Sequence, residues 1–207
     1  MNINKLIVEN TSSSSKRWQL LTETLLIYFI LSASFSYSQA LSGKALLKMD
    51  SLFKAIDKKN NETIGKQFPE FSVFNNKEEC SNSKLKGKVV FINFWFSKCA
   101  PCIAEFDQLN KLFEKYKENK KFELISFTFE SPAEINLMKK KYNIKYQVFS
   151  ITGSECNRLN FNNSFPTNII VDSLGSVKFI HSGGQLDKSE IKKYFTTTIY
   201  PLISKEL

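Results

Sequence analysis

Apolar residues in this chain follow two rhythms, and the change between them falls at residues 96–103. "KGKVVFINFWF" is nearly unbroken hydrophobic sequence, the pattern of a strand covered on both faces. In the following "APCIAEFDQLNKLFEKYKEN", Ile103, Phe106, Leu109, Leu112, Phe113 and Tyr116 recur at steps of three and four. That spacing predicts an amphipathic helix beginning at the cysteines. "KFELISFTFE" predicts the next strand, and "SPAEINLMKKKYN" the next helix, with Ser131 as N-cap and Pro132 at its first position. "YQVFSI" predicts a short strand, "FPTNIIVDSLGSVKFIHSGG" a hairpin turning at Asp172–Gly175, and "DKSEIKKYFTTTIYPLI" a closing helix capped by Asp187 or Ser189. Upstream, "KQFPEFSVFNN" and "KEECSN" predict two short strands around an Asn75–Asn76 turn. Before them, Leu46, Met49, Leu52, Phe53 and Ile56 lie at helical spacing, marking an amphipathic lead-in helix expected to pack on its own domain. Strand–helix–strand–helix followed by a hairpin and a helix implies an α/β sandwich around a mixed central sheet.

Composition narrows this picture without redirecting it. The 207 residues suffice for one domain plus extra segments, and 19 Phe against 7 Gly and 5 Pro excludes a low-complexity or disordered chain. The formal charge of +9 invites a nucleic-acid reading, yet the lysines are dispersed among acids, with no arginine block or base-stacking motif. We therefore expect no nucleic-acid partner and a solvated basic surface.

Residues 1–40 read as an export signal. Lys16 and Arg17 precede a compact apolar stretch from Leu25 to Leu31, and Ser38 and Ala40 flank Gln39 in the manner of a signal-peptidase site. The apolar part is shorter than the ~20 residues of a spanning helix. A cleaved signal peptide is the expectation, with an uncleaved N-terminal membrane anchor as the alternative. Residues 41–63 then form the lead-in helix or linker, and 64–207 the main domain.

The strand-to-helix junction carries the candidate chemistry. Cys99 is placed at or just before the first helical turn, with Cys102 one turn further in. Free backbone N–H groups and the positive end of the helix dipole favour a thiolate at Cys99, and thiolate is the attacking species. Cys102 is near enough to close a small disulfide and release a mixed-disulfide intermediate. Pro101 suits the first turn, where its missing N–H costs nothing. A zinc site would need more ligands than one C-x-x-C pair, and Cys80, Cys156 and the lone His181 form no second close pair. A purely structural bridge across so short a loop would restrain the unfolded chain weakly.

"GKVVFINFWFSKCAPCIAEF" resembles the active-site segment of thioredoxin-fold proteins, and within them of exported TlpA/ResA-like thiol–disulfide oxidoreductases, relatives of the AhpC/TSA group. "TIGKQFPEFSVFN" and "SFPTNIIVDSLGSVKFIHSGG" are similar to that family's N-terminal and later hairpins, so the likeness spans about residues 64–204. It implies a thioredoxin-like fold with an N-terminal β-hairpin extension. It also implies a cis Phe165–Pro166 bond beside the cysteines, with Phe165, Pro166, Thr167, Ala100 and Pro101 bordering the substrate. Glu105 stands where the family often has a glutamate that assists proton transfer to the inner thiol. Its spacing from Cys102 is three residues, so the two share a helix face; an exposed acid favoured by the helix dipole is the alternative.

The activity so implied is reduction of protein disulfides, with Cys99 as nucleophile and Cys102 resolving. The expected setting is periplasmic, with cytochrome c maturation as one context. The expected partners are protein thiols or disulfides and a membrane thiol donor such as a DsbD/CcdA-like protein, acting on a monomer. No cofactor beyond the Cys99–Cys102 pair and no metal are expected. A peroxiredoxin-like thiol peroxidase and a copper metallochaperone of the same fold are the alternatives. "FWFSK" lacks the threonine of the first, and C-x-x-C with only His181 departs from the C-x-x-x-C of the second. Several positions depart from the family: Phe96 and Lys98 fill a stretch where a tryptophan usually precedes the first cysteine, Asn93 replaces a common acid, and Asp107 a common proline. Trp95 is expected to pack beneath the site, His181 to be structural, and Cys80 and Cys156 to be either buried thiols or a second disulfide.

Overall fold

A computed structural model describes residues 47–75 and 78–207. The expected export signal at residues 1–40 and Asn76 of the expected Asn75–Asn76 turn lie outside the described residues, while Asn75 ends a strand. The chain divides into two units, Met1–Lys54 and Ala55–Leu207. Residues 47–63 are helical (α1), as the spacing predicts, and Met49, Leu52 and Phe53 on its apolar stripe are exposed. Within the second unit, Ile56 is half-buried, and Asn60 and Thr63 are buried.

The order continues with β1 (Ser72–Asn75), β2 (Glu78–Ser81), the single turn α2 (Asn82–Leu85), β3 (Val89–Phe94), α3 (Ala100–Tyr116), β4 (Phe122–Thr128) and α4 (Pro132–Tyr142). It ends with β5 (Gln147–Ser150), α5 (Gly153–Leu159), β6 (Thr167–Val171), β7 (Val177–Ser182), α6 (Lys188–Tyr194), a π-helical turn at Phe195–Ile199 and α7 (Tyr200–Glu206). β1 and β2 form their own antiparallel pair, and the other strands form a sheet ordered β5-β4-β3-β6-β7. β3, β4 and β5 run parallel through the crossovers α3 and α4, whereas β6 is antiparallel to both β3 and β7.

All residues of β3 and β6 are buried, which is why their sequences are apolar almost throughout. Alternation along β3 sends Val89 and Phe91 to one face and Val90, Ile92 and Phe94 to the other. The first face packs with Trp95, Phe106, Leu109, Leu112 and Phe195; the second packs with Phe68, Phe71, Phe127, Phe149 and Leu159. One face is therefore roofed by α3 and the C-terminal helices, the other by the β1–β2 extension and α5.

Two local features depart from the expectations, and a third resolves a choice between two caps. α5 is an additional helix between the expected strand "YQVFSI" and the expected hairpin, and its start is a capping box in outline: Thr152 accepts from the Glu155 N–H. The closing helix is interrupted, because Pro201 has no N–H to donate back along the helix; the Tyr200 N–H instead reaches Phe195 O, the wider π register. Of the two proposed caps, Asp187 is the one used, accepting from the Ser189 and Glu190 N–H groups. No helix among the described residues is long and apolar enough to cross a membrane.

Candidate active site

β3 leads directly to the site. Its last residues hand the chain to Trp95, wholly buried and edge-on to Phe106 at 5.3 Å, so the indole packs beneath the cysteines as expected. Cys99 is the N-cap of α3, and its sulfur accepts from the Cys102 N–H at 3.3 Å. The two sulfurs are joined in a disulfide with Cα atoms 5.3 Å apart. Cys99 is 5% exposed and Cys102 1%, so the outer sulfur is the one within reach of a partner. A sulfur held against the free N–H groups of a helix start is stabilised as a thiolate once the bond is reduced.

The Phe165–Pro166 bond is cis. Pro166 approaches the disulfide loop across Gly184: a Cβ at Gly184 would lie 2.9 Å from Pro166 Cγ and 3.1 Å from Pro101 Cβ. Only a residue without a side chain lets the two prolines come together there. Gly183, at φ +96°, adds a 2.8 Å bond from its N–H to Pro166 O. Cys99, Ala100, Pro101, Cys102, Phe165 and Pro166 thus gather at one end of the sheet. Thr167 is different, because its side chain is fully buried and donates to Ser164 O; it braces the loop and cannot itself offer a side chain to a substrate.

Glu105 is only 2% exposed, which settles the alternative of a surface acid against it. Burial pushes its carboxyl up to about 7, a shift opposed by the 3.0 Å bond it accepts from Asn168 Nδ2. That bond ends a chain of buried amides. Ser126 Oγ donates to Asn93 Oδ1 at 3.2 Å, and Asn93 Nδ2 donates to Asn168 Oδ1 at 2.8 Å. β4, β3 and β6 are thereby wired to the first turns of α3. The amide at Asn93, in place of the common acid, both accepts and donates, which a carboxylate could not do. Sequence reasoning missed Asn168 and Ser126; the available signal was a polar residue inside the otherwise apolar "TNIIV" and "LISF". Tyr146, fully buried, and Tyr194, half-buried with its hydroxyl enclosed, complete the surroundings, and burial, with the nearby Glu105 charge adding in lesser part, raises both phenols.

The remaining cysteines are both free and buried, so a second disulfide is not formed. Burial raises both thiols to about 12, with the Glu123 charge adding at Cys80 and Glu155 at Cys156. His181 lies on β7 between the rings of Phe179 and Tyr194, at 6.4 and 5.3 Å.

Fold and site define a thioredoxin-fold thiol–disulfide oxidoreductase. Residues 64–180 match the AhpC/TSA family, and the chain belongs to it. Among relatives, the thiol-disulfide oxidoreductase ResA of Bacillus thuringiensis subsp. konkukian is 32% identical over 139 residues, covering 66% of this chain and 79% of that protein. The thioredoxin-like protein YneN of Bacillus subtilis is 28% identical over 133 residues, covering 62% and 77%. A solved thiol:disulfide interchange protein of the thioredoxin family from Chlorobium tepidum aligns with TM-score 0.54 at 20% identity, over 69% of this chain and 96% of that one. That similarity shows the fold.

Proposed function

We propose that this chain is an exported enzyme that reduces disulfides in client proteins through Cys99 and Cys102. The observation that carries the reading is the outer sulfur at the N-cap of α3, bonded to an inner sulfur one turn behind it. In the reduced enzyme the Cys99 thiolate attacks one sulfur of the client disulfide. That S–S bond breaks, and the departing client sulfur leaves as a thiolate that takes up a proton. Cys102 then loses its proton to the Glu105 carboxylate and attacks Cys99 Sγ, which releases the second client thiol. Two electrons have passed to the client, and the enzyme holds a disulfide. A carboxyl whose affinity for protons lies near neutrality is suited to taking up and returning that proton.

Phe165, Pro166, Ala100 and Pro101 border the client, with Thr167 bracing them from beneath. A membrane dithiol carrier of the DsbD/CcdA type returns two electrons, and cytochrome c maturation is the setting that the family resemblance implies. Export is supported by the pattern of residues 1–40, and the working species is a monomer that needs no cofactor beyond its own disulfide. The test is Cys102→Ser, which is expected to accumulate a mixed disulfide through Cys99 when the reduced variant meets a protein disulfide such as insulin. An adduct through another cysteine, or none, contradicts the assignment. Faster consumption of peroxide than of insulin disulfide would favour the peroxidase alternative.

A further inference from the structure

Three phenylalanines from separate segments meet beside the disulfide. Phe96 lies in the loop leading to Cys99, Phe129 just beyond β4, and Phe165 next to the cis proline. Phe96 stacks on Phe129 at 5.6 Å, and Phe165 stands edge-on to both, at 5.4 and 5.7 Å. The cluster is tied to the reactive sulfur through backbone: the Cys99 N–H donates to Phe96 O at 3.1 Å, and the Ser97 N–H donates to Glu130 Oε1 at 2.7 Å. Phe96 and Phe165 are half-buried against the core, but Phe129 is 44% exposed and belongs to neither apolar cluster. An aromatic ring kept in solvent with its neighbours pre-arranged around it contributes little to the core and offers a ready apolar face.

We propose that Phe96, Phe129 and Phe165 form a subsite for an aromatic residue flanking the client's cysteine, so that the enzyme selects extended cysteine segments with aromatic neighbours. The proposal rests on the oxidoreductase reading and names its substrate class. The occupant follows from position. Whatever bonds to Cys99 brings the residues next to its own cysteine along the wall made by Phe165 and Pro166, and Phe129 is the exposed ring of that wall. A ring of the client completes the edge-to-face set that the three already share.

The test compares two symmetric peptide disulfides, (Ac-Phe-Cys-Phe-NH2)2 and (Ac-Ser-Cys-Ser-NH2)2, in single-turnover reaction with the reduced protein. Each rate is normalised to that peptide's rate with dithiothreitol. The expected preference is about tenfold for the aromatic peptide, the size of one or two good aromatic contacts. Phe129→Ser is expected to bring the ratio close to one, and Phe129→Leu to restore part of it. Equal rates for both peptides in the parent protein, or a ratio that survives Phe129→Ser, would overturn the subsite while leaving the oxidoreductase reading standing. Failure to reduce either peptide would overturn both.

Discussion

Four cysteines in one domain occupy two opposite environments. Cys99 and Cys102 sit where a helix begins, with backbone N–H groups free to face a sulfur, and they are bonded to each other. Cys80 and Cys156 lie in the apolar cluster on the other face of the sheet, unbonded, with thiols pushed up to about 12. Burial alone does not distinguish them, because Cys99 and Cys80 are both 5% exposed and Cys102 is nearly as enclosed as Cys156. Each pair also packs in an apolar cluster; what differs is that Cys99 caps a helix and its sulfur accepts from the Cys102 N–H. A helix start lowers the cost of negative sulfur, whereas a hydrocarbon wall raises it. Reactivity is therefore set by where the backbone points its unpaired donors.

The largest test of this contrast is loss of the outer sulfur. Cys99→Ser is expected to lower disulfide reduction by about 10³-fold or more, since the variant has no thiolate to attack with. Insulin turnover measured alongside a Cys80→Ala control, which should retain it, checks this directly.

Glu105 gives the next effect, and its sign is set by burial. Its carboxyl rises from an ordinary 4.5 to about 7 in the folded protein, so the folded state binds more protons across that window. Stability should therefore fall as pH rises from about 4.5 to 7, by about 3 kcal/mol in total. Glu105→Gln, which can still accept from Asn168, should flatten that slope and make the oxidised protein more stable than the parent at pH 8. Urea melts of both proteins at pH 5 and pH 8 measure it, and parallel curves would place the ionised carboxylate in better-solvated surroundings than burial implies.

Smaller still is the difference in labelling. After reduction at neutral pH, iodoacetamide should modify Cys99 about 100-fold faster than Cys80 or Cys156, because thiols raised to about 12 are almost wholly protonated there. Peptide mapping over time reads each position separately. Smallest is Cys156→Ser, which puts a hydroxyl into the second apolar cluster and is expected to cost about 1–3 kcal/mol of stability. Its reduction rate should match that of the parent protein.

Much of this arrangement was legible in the chain, for reasons that differ by element. β3 and α3 were plain because hydrophobic period changes abruptly between Phe94 and Ile103, and burial on both faces leaves β3 no room for polar residues. Ser131 and Pro132 announced α4 by their chemistry alone. The amide chain through Asn93 and Asn168 was not legible, because β3 and β6 are 75 residues apart in sequence and only their antiparallel pairing sets those side chains opposite each other. The phenylalanine cluster was hidden for the same reason, since Phe96, Phe129 and Phe165 meet only through the sheet order. Pro201 was visible, but a proline near a helix start and one that forces a π turn inside a longer helix look alike in sequence.

The most direct measurement is a thiol census by mass spectrometry before and after one turnover of the fully reduced protein with a protein disulfide. The expected result is one client disulfide opened per protein, with Cys99 and Cys102 protected from alkylation together and Cys80 and Cys156 unchanged. Retention of free thiols at Cys99 and Cys102 after the client has been reduced, or their replacement by loss at Cys80 or Cys156, would contradict the account.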